Sequence, residues 1–372
     1  MKLSKRSRWA VPAGALAVTG ALIGGIPAIT SSASAAPALP ARTPAQLLAQ
    51  LAGEHTAPPP MSGTITETVS LGFPKLPQTG NPNSITSLLT GSHTVNIWYA
   101  SPKHFRLELP QSMSETDVYR DGTTAYLWQS ANNSVTKFTL PAKGHKAVTE
   151  PATPLTPQQA ANDALAMLGK STKVTVASNV SVANQAAYTL VLQPKDSRSL
   201  IGQVAIAIDA SNNVPLSVQV YARGASTPAI SVGFSQVTFA APASSDLAFT
   251  PSATAKQTTV NEAHGSKGAA GSSDLTTTGS DWLTVAELPA SVLSGATSFS
   301  PSGNNSGPGV AGASAAEAQA ALRSLVNDAT PVQGSWGSGE LLRTSLLTML
   351  ITDTKVYVGA VVPSVLEAAA GK

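Results

Sequence analysis

The stretch that most constrains the fold begins at Val214, VPLSVQVYARGASTPAISVGFSQVTFAAP, and alternates apolar and polar residues with a period of two. Successive side chains of an extended chain point to opposite sides, so this pattern describes strands with one dry and one wet face. Leu216, Val218, Val220 and Ala222 share one face, and Ser217, Gln219, Tyr221 and Arg223 share the other. The pattern resumes after a turn with Ile230, Val232 and Phe234. It then slips by one residue near Ser235 and Gln236, which returns Val237 and Phe239 to the dry side and predicts a β-bulge. One-sided strands of this length must bury their dry face on something, and the rest of the chain has to provide it.

Strands of the same kind recur on both sides. SGTITETVSL, HTVNIWYASP, HFRLELP, ETDVYRDGTTAYLWQS and NSVTKFTLP read as an antiparallel meander, with hairpin turns at Asp121-Gly122 and Asn132-Asn133. KVTVAS, AAYTLVLQP, GQVAIAIDA, PLSVQVYA and AISVGFSQVTF make a second set, with DASNNVP as a turn. One short helix precedes the strands, where Thr43 caps, Pro44 enters the first turn and Leu47, Leu48 and Leu51 form an apolar stripe. Another divides the two sets, capped by Thr156 and stopped by Gly169, with Leu165 and Leu168 on one side. The predicted class is α+β, mainly antiparallel β, over residues 36–252. Residues 253–280 are almost free of large apolar side chains and read as a flexible linker. Residues 281–372 read as a small α+β domain: a helix in SAAEAQAALRSLVNDA, a hairpin from GELLRTSLLTMLITD to KVYVGAVVP, and a last helix at PSVLEAAA.

Residues 1–35 have the three parts of a cleaved export signal: basic Lys2, Lys5, Arg6 and Arg8, an apolar run from Trp9 to about Ile29, and the small-x-small site Ala33-Ser34-Ala35. The alternative is a retained anchor, which Pro12, Pro27 and several glycines disfavour. Cleavage removes four of the 23 basic residues and none of the 20 acidic ones, which leaves 19 against 20. A basic footprint for nucleic acid is therefore not expected. There is no cysteine, hence no disulfide, thiolate metal site or cysteine nucleophile, and the core alone must hold an exported chain together. His55, His93, His104, His145 and His264 are scattered without metal-ligand spacing. No catalytic residue, cofactor or metal is expected.

Three motifs bear on chemistry. The glycine cluster GSWGSGELLRT, Gly334 to Thr344, matches no phosphate-loop spacing and reads as a tight turn that positions Trp336. Glu115, Asp117 and Asp121 stand close in SETDVYRDG with Arg120 beside them, as turn and edge-strand acids commonly do. Trp98, Tyr99, Tyr126 and Trp128 are dense for a chain with 5% aromatic residues, and fit either core packing or the wall of an apolar pocket. If the helices fill the concavity of the meander incompletely, an apolar hollow remains, suited to acyl chains or other greasy ligands.

The segments WYASPKHFRLEL, DGTTAYLW, AAYTLVLQPKD, VAIAIDASNNVPLSVQVYA and VGFSQVTFAAPASSDLAFTP occur in the order and spacing of the LolA/RseB family, which the chain resembles over about residues 43–252. The resemblance implies an unclosed half β-barrel whose covering helices enclose an apolar cavity. Within it, Ile65, Val95, Ile97, Phe105, Leu107, Leu190, Ile206, Ile208, Val218 and Val220 are the candidate lining. The family also implies two kinds of partner. One is the acyl chains of lipids or lipoproteins, held by an exported carrier; the other is a membrane-anchored anti-sigma factor, held by a regulator. Ser101 stands where the carrier has an arginine that holds its helical lid, and the second domain favours the regulator.

Overall fold

The computed structural model describes residues 37–53, 57–73, 90–111, 113–139, 156–166, 169–261, 276–290 and 328–371. The leader 1–35, residues 262–275 of the expected linker, and all but the last two residues of the helix expected at 314–329 lie outside the described residues.

The two early helices start with the same four-residue device. In α1 (Pro44–Gly53) the Gln46 amide donates to Thr43 Oγ1 at 3.2 Å while Gln46 Oε1 accepts from the Thr43 amide at 2.8 Å. In α2 (Pro157–Ala166) Thr156 and Gln159 repeat the exchange at 3.2 and 2.9 Å. Each Thr-Pro-x-Gln satisfies two end donors and presets the first turn, so short helices form at fixed places.

The first set of strands is β1 (Met61–Ser70), β2 (Thr90–Ser101), β3 (His104–Pro110), β4 (Glu115–Asp121), β5 (Thr124–Gln129) and β6 (Ser134–Thr139). The second is β7 (Thr172–Val182), β8 (Gln185–Pro194), β9 (Ile201–Asp209), β10 (Pro215–Ala222) and β11 (Pro228–Thr238). Each set is an antiparallel meander, and β1 pairs with β11 to join them into one sheet of order β6-β5-β4-β3-β2-β1-β11-β10-β9-β8-β7, which β12 (Lys256–Asn261) extends beside β6. Its ends, β12 and β7, do not pair with each other, so the sheet is open. The predicted bulge sits in the joining seam, where Thr64 faces Gln236 and Ile65 faces Phe234, leaving Ser235 as the extra residue. Gly63 lies beside it, and a Cβ there would run into the Gln236 carbonyl and come within 3.2 Å of the Phe234 ring. Gly63→Ala is expected to destabilise the protein by about 1–3 kcal/mol, read as a lowered urea midpoint with unchanged slope.

β12 (Lys256–Asn261) falls in the stretch expected as linker, yet it adds to the sheet parallel to β6. Its sequence KQTTVN has one apolar residue, so periodicity gave no strand signal; the free backbone groups of β6 supplied the template.

A second sheet has the order β13-β14-β18-β17-β16-β15, with β13 (Thr276–Thr278), β14 (Val285–Pro289), β15 (Thr330–Gly334), β16 (Gly337–Arg343), β17 (Thr348–Thr352) and β18 (Lys355–Gly359). Helix α3 (Pro363–Ala370) packs on it through Leu366, in a core with Val285, Leu350, Tyr357 and Val361. The hairpin expected there is a meander, because GELLRTSLLTMLITD breaks at residues 344–347. The Thr344 amide donates to the Leu347 carbonyl at 2.8 Å, and the Ser345 amide and hydroxyl both donate to the Leu71 carbonyl at 2.9 and 3.0 Å. That break turns Leu346 into a cluster with Val69, Ala222 and Ala229 of the first sheet and Leu71 just after β1.

Two further contacts tie the sheets together. The β8–β9 loop meets the segment before α3, where the Leu200 amide donates to the Ala360 carbonyl and the Val362 amide to the Arg198 carbonyl, both at 2.8 Å. A single 3₁₀ turn, Asp281–Leu283, inserts Trp282 into the core under α1 and α2. Its indole N–H donates to Thr172 Oγ1 at 2.7 Å, and Asp281 accepts from the Ser171 hydroxyl at 2.7 Å. The sheets are pinned at three places, where the sequence suggested two modules on a flexible tether.

Candidate ligand-binding face

Directly opposed residues of an antiparallel pair point to the same side, so the register assigns every candidate to a face. Ile65 lies opposite Val95 and Phe234, Ile97 opposite Leu107, and Phe105 opposite Tyr99. Val218 lies opposite Val232 and Ile206, Val220 opposite Ile230 and Val204, Ile206 opposite Leu190, and Ile208 opposite Tyr188. Through β1 and β11 these form one continuous face that carries all ten residues proposed from alternation.

The face divides into two environments. Leu190, Ile206, Ile208 and Val218 belong to a core with Leu47 and Leu51 of α1, Ala161 and Ala164 of α2, and Trp282. Leu190, Ile206 and Ile208 are wholly buried, and Val220 packs at the margin of this core. These residues hold the helices to the sheet. Ile65, Val95 and Ile97 form a second core with Met61, Val232 and Phe234, and Leu107 and Leu109 pack at its margin. Beyond them the apolar surface continues outward over β3 and β4, where Phe105, Leu107, Leu109 and Val118 are only half-buried. Tyr99 belongs to this outer area, whereas Trp98, Tyr126 and Trp128 lie on the opposite face. The four aromatics thus have separate surroundings.

One acid interrupts the apolar face. Glu67 lies between Ile65 and Val69 on β1, opposite Val232 on one side and His93 on the other. Burial pushes its carboxyl above the usual range, and His93 partly offsets this. Neither residue stood out from the sequence, since a single acid in SGTITETVSL looks like the wet side of a strand. Ser101 lies at the β2–β3 hairpin and accepts from the Lys103 amide at 3.3 Å.

The opposite face carries a charged cluster that spacing only partly indicated. Arg106 donates to Asp117 Oδ2 through Nε at 3.0 Å and Nη2 at 2.7 Å, and to Glu108 at 2.8 Å. Its guanidinium lies between the rings of Trp98 and Tyr119, 4.7 and 5.1 Å from their centroids. The Tyr119 hydroxyl donates to Asp117 at 2.9 Å, and Phe249 stacks on the Tyr119 ring at 4.4 Å. Phe249 therefore places the segment after β11 over this cluster. Asp117 is wholly buried; Asp121 sits apart at the hairpin, beside His104, so Glu108 rather than Asp121 completes the acidic group. The glycine cluster is the β15–β16 hairpin, whose two-residue tip carries Trp336, with Gly334 and Gly339 against its ring.

No family model and no curated protein matches the chain. Solved structures do. The MucA/MucB complex of Pseudomonas aeruginosa matches at 16% identity over 88% of this chain and 96% of that one, with a TM-score of 0.41. A LolA superfamily protein from Nitrosomonas europaea matches at 9% identity over 56% of this chain and 99% of that one, with a TM-score of 0.23. A structure described as an outer membrane lipoprotein-sorting protein domain, from Vibrio parahaemolyticus, matches at 9% identity over 54% of this chain and 94% of that one, with a TM-score of 0.22. The chain itself is an open, mainly antiparallel sheet with covering helices and a second sheet.

Proposed function

We propose that this chain is an exported, non-enzymatic binding protein that takes acyl chains of lipids or lipidated proteins on the apolar face of its first sheet. The observation that carries the reading is the continuity of that face. The same dry side that holds α1 and α2 over β7–β10 runs on through Ile65, Val95 and Ile97 to the half-buried Phe105, Leu107, Leu109 and Val118. Apolar side chains left partly exposed beside a completed core can take up a ligand without opening that core. Of the ten candidates, Phe105 and Leu107 then meet ligand first, Ile65, Val95 and Ile97 form the floor, and the five on β8–β10 anchor the helices.

The test is uptake of a fluorescent fatty-acyl probe by the purified chain. Leu107→Glu is expected to weaken saturable uptake at least tenfold while changing stability little, because Leu107 is only half-buried. Leu190→Ala is expected to cost about 2–5 kcal/mol of stability instead. Absence of saturable uptake by the unmodified chain would overturn the reading. Cleavage after Ala35 is checked by N-terminal sequencing of the exported protein; no helix among the described residues is long and apolar enough to cross a membrane.

One observation favours a second reading, a regulator that holds a membrane-anchored protein. β15 is an open edge of the second sheet, with its residues largely exposed, and could accept an added strand from a partner. A chain that carries no lipid yet binds a membrane protein through this edge would support that reading over the first.

A further inference from the structure

On the face away from the apolar side, Glu108 and Asp117 are direct cross-strand partners, and Glu115 follows on the same side of β4. Each of the three offers an oxygen, and these oxygens lie within 4.8 Å of one another. Like charges directly opposite each other destabilise a sheet, and here a single guanidinium, Arg106, serves the group. The imbalance of two negative charges shows in the hydrogen bonding. Asp117 Oδ2 accepts from Arg106 twice and from the Tyr119 hydroxyl, while Asp117 Oδ1, on a wholly buried side chain, has no hydrogen-bond partner. Glu108 Oε1 accepts from Asn96 Nδ2 at 3.3 Å. A buried carboxylate oxygen without a donor is costly, and native proteins rarely leave one so.

We propose that Glu108, Glu115 and Asp117 bind a hard divalent cation, calcium in preference to magnesium, with Asp117 Oδ1 as the inner ligand. The donor set is oxygen only, which suits calcium, magnesium or manganese and not the softer metals. Two positive charges balance the two left over by Arg106. Magnesium sheds its waters reluctantly and demands a near-ideal octahedron, whereas calcium accepts an irregular set of carboxylate oxygens, so a site whose inner ligand is a buried carboxylate suits calcium. Glu108 and Glu115 are half-buried and form the route to solvent, where waters complete the shell. This site is independent of the acyl-binding reading, since it lies on the other side of the sheet.

The test uses the full chain treated with chelator and then titrated with calcium chloride. Calcium is expected to raise the melting temperature by several degrees, half-maximally at about 0.1–1 mM, with magnesium weaker. Trp128 faces Asp117 across the β4–β5 pair, so bound terbium should emit on tryptophan excitation and be displaced by calcium. Glu115→Gln should abolish the terbium signal and the calcium shift. Glu115→Lys, whose ammonium substitutes for the ion, should melt higher than the chelated parent and ignore calcium. Asp163→Asn, on the exposed side of α2, should respond like the parent. No shift up to about 10 mM calcium, or a shift that survives in both Glu115 variants, would overturn the site.

Discussion

Replacing Trp282 by alanine should be among the most damaging single changes, about 3–5 kcal/mol, the cost of removing a buried large aromatic. Trp282 is 4% exposed, and its indole lies in the core that α1 and α2 form with β8–β10. Its loss leaves a cavity beneath both helices and removes the donor to Thr172, itself 8% exposed. The same side chain is a pin between the sheets, so the variant should also loosen the C-terminal sheet. Limited proteolysis should then cut between β12 and β14 faster than in the parent. Trp282→Phe keeps most of the volume and forfeits the hydrogen bond, and should fall in between. If Trp282→Ala unfolded at the parent's urea concentration, the residue would be a passive surface contact and the pin would not exist.

Replacing Arg106 by alanine should cost a similar amount, about 3–5 kcal/mol at neutral pH, because it leaves a buried carboxylate without its counter-charge. Burial already pushes the Asp117 carboxyl above its ordinary value, with the Tyr119 hydrogen bond and the Arg106 charge opposing the rise. Without Arg106 the rise is larger. A raised folded-state value means that the protonated acid is tolerated and the ionised one is penalised, so stability falls as pH rises through that value. The deficit of the variant relative to the parent should therefore be small near pH 4 and grow toward pH 7, measured by chemical denaturation with chelator present. A deficit independent of pH would mean that lost packing against Trp98 and Tyr119, and not charge, is what Arg106 contributes. Arg106→Lys should recover only part of the loss, since an ammonium cannot bridge Asp117 and Glu108 with the geometry of the fork.

Much of the candidate face was legible as letters. Alternation placed Ile65, Val95, Ile97, Phe105, Leu107, Leu190, Ile206, Ile208, Val218 and Val220 on one side, and the register agrees, because the period of a strand is two wherever the strand runs unbroken. The phase slip at Ser235 and Gln236 was also visible, since it moves Val237 and Phe239 to the other parity. What alternation could not tell was which apolar residues are covered. Leu190 and Leu107 have the same pattern, yet one is wholly buried beneath α1 and α2 and the other half-exposed on β3, because coverage depends on where a distant helix lands. Arg106, Glu108 and Asp117 were unremarkable as separate polar positions; only the β3–β4 register makes two acids direct neighbours and puts one guanidinium between them.

The sequence by itself determined the eleven strands of the two meanders in the first sheet, the two early helix starts, the bulge, and the side of that sheet that is dry. These depend on neighbours within a few residues, and local sterics, capping and side-chain period decide them. The tertiary structure alone decided that KQTTVN would become an edge strand, that Ser345 and Leu346 would leave their strand for Leu71 and the first core, and that Trp282 would lock the sheets together. Each of these is a long-range choice made by an unpaired edge, a spare carbonyl or an unfilled volume that another part of the chain presents. No pattern within the segment itself records such an offer.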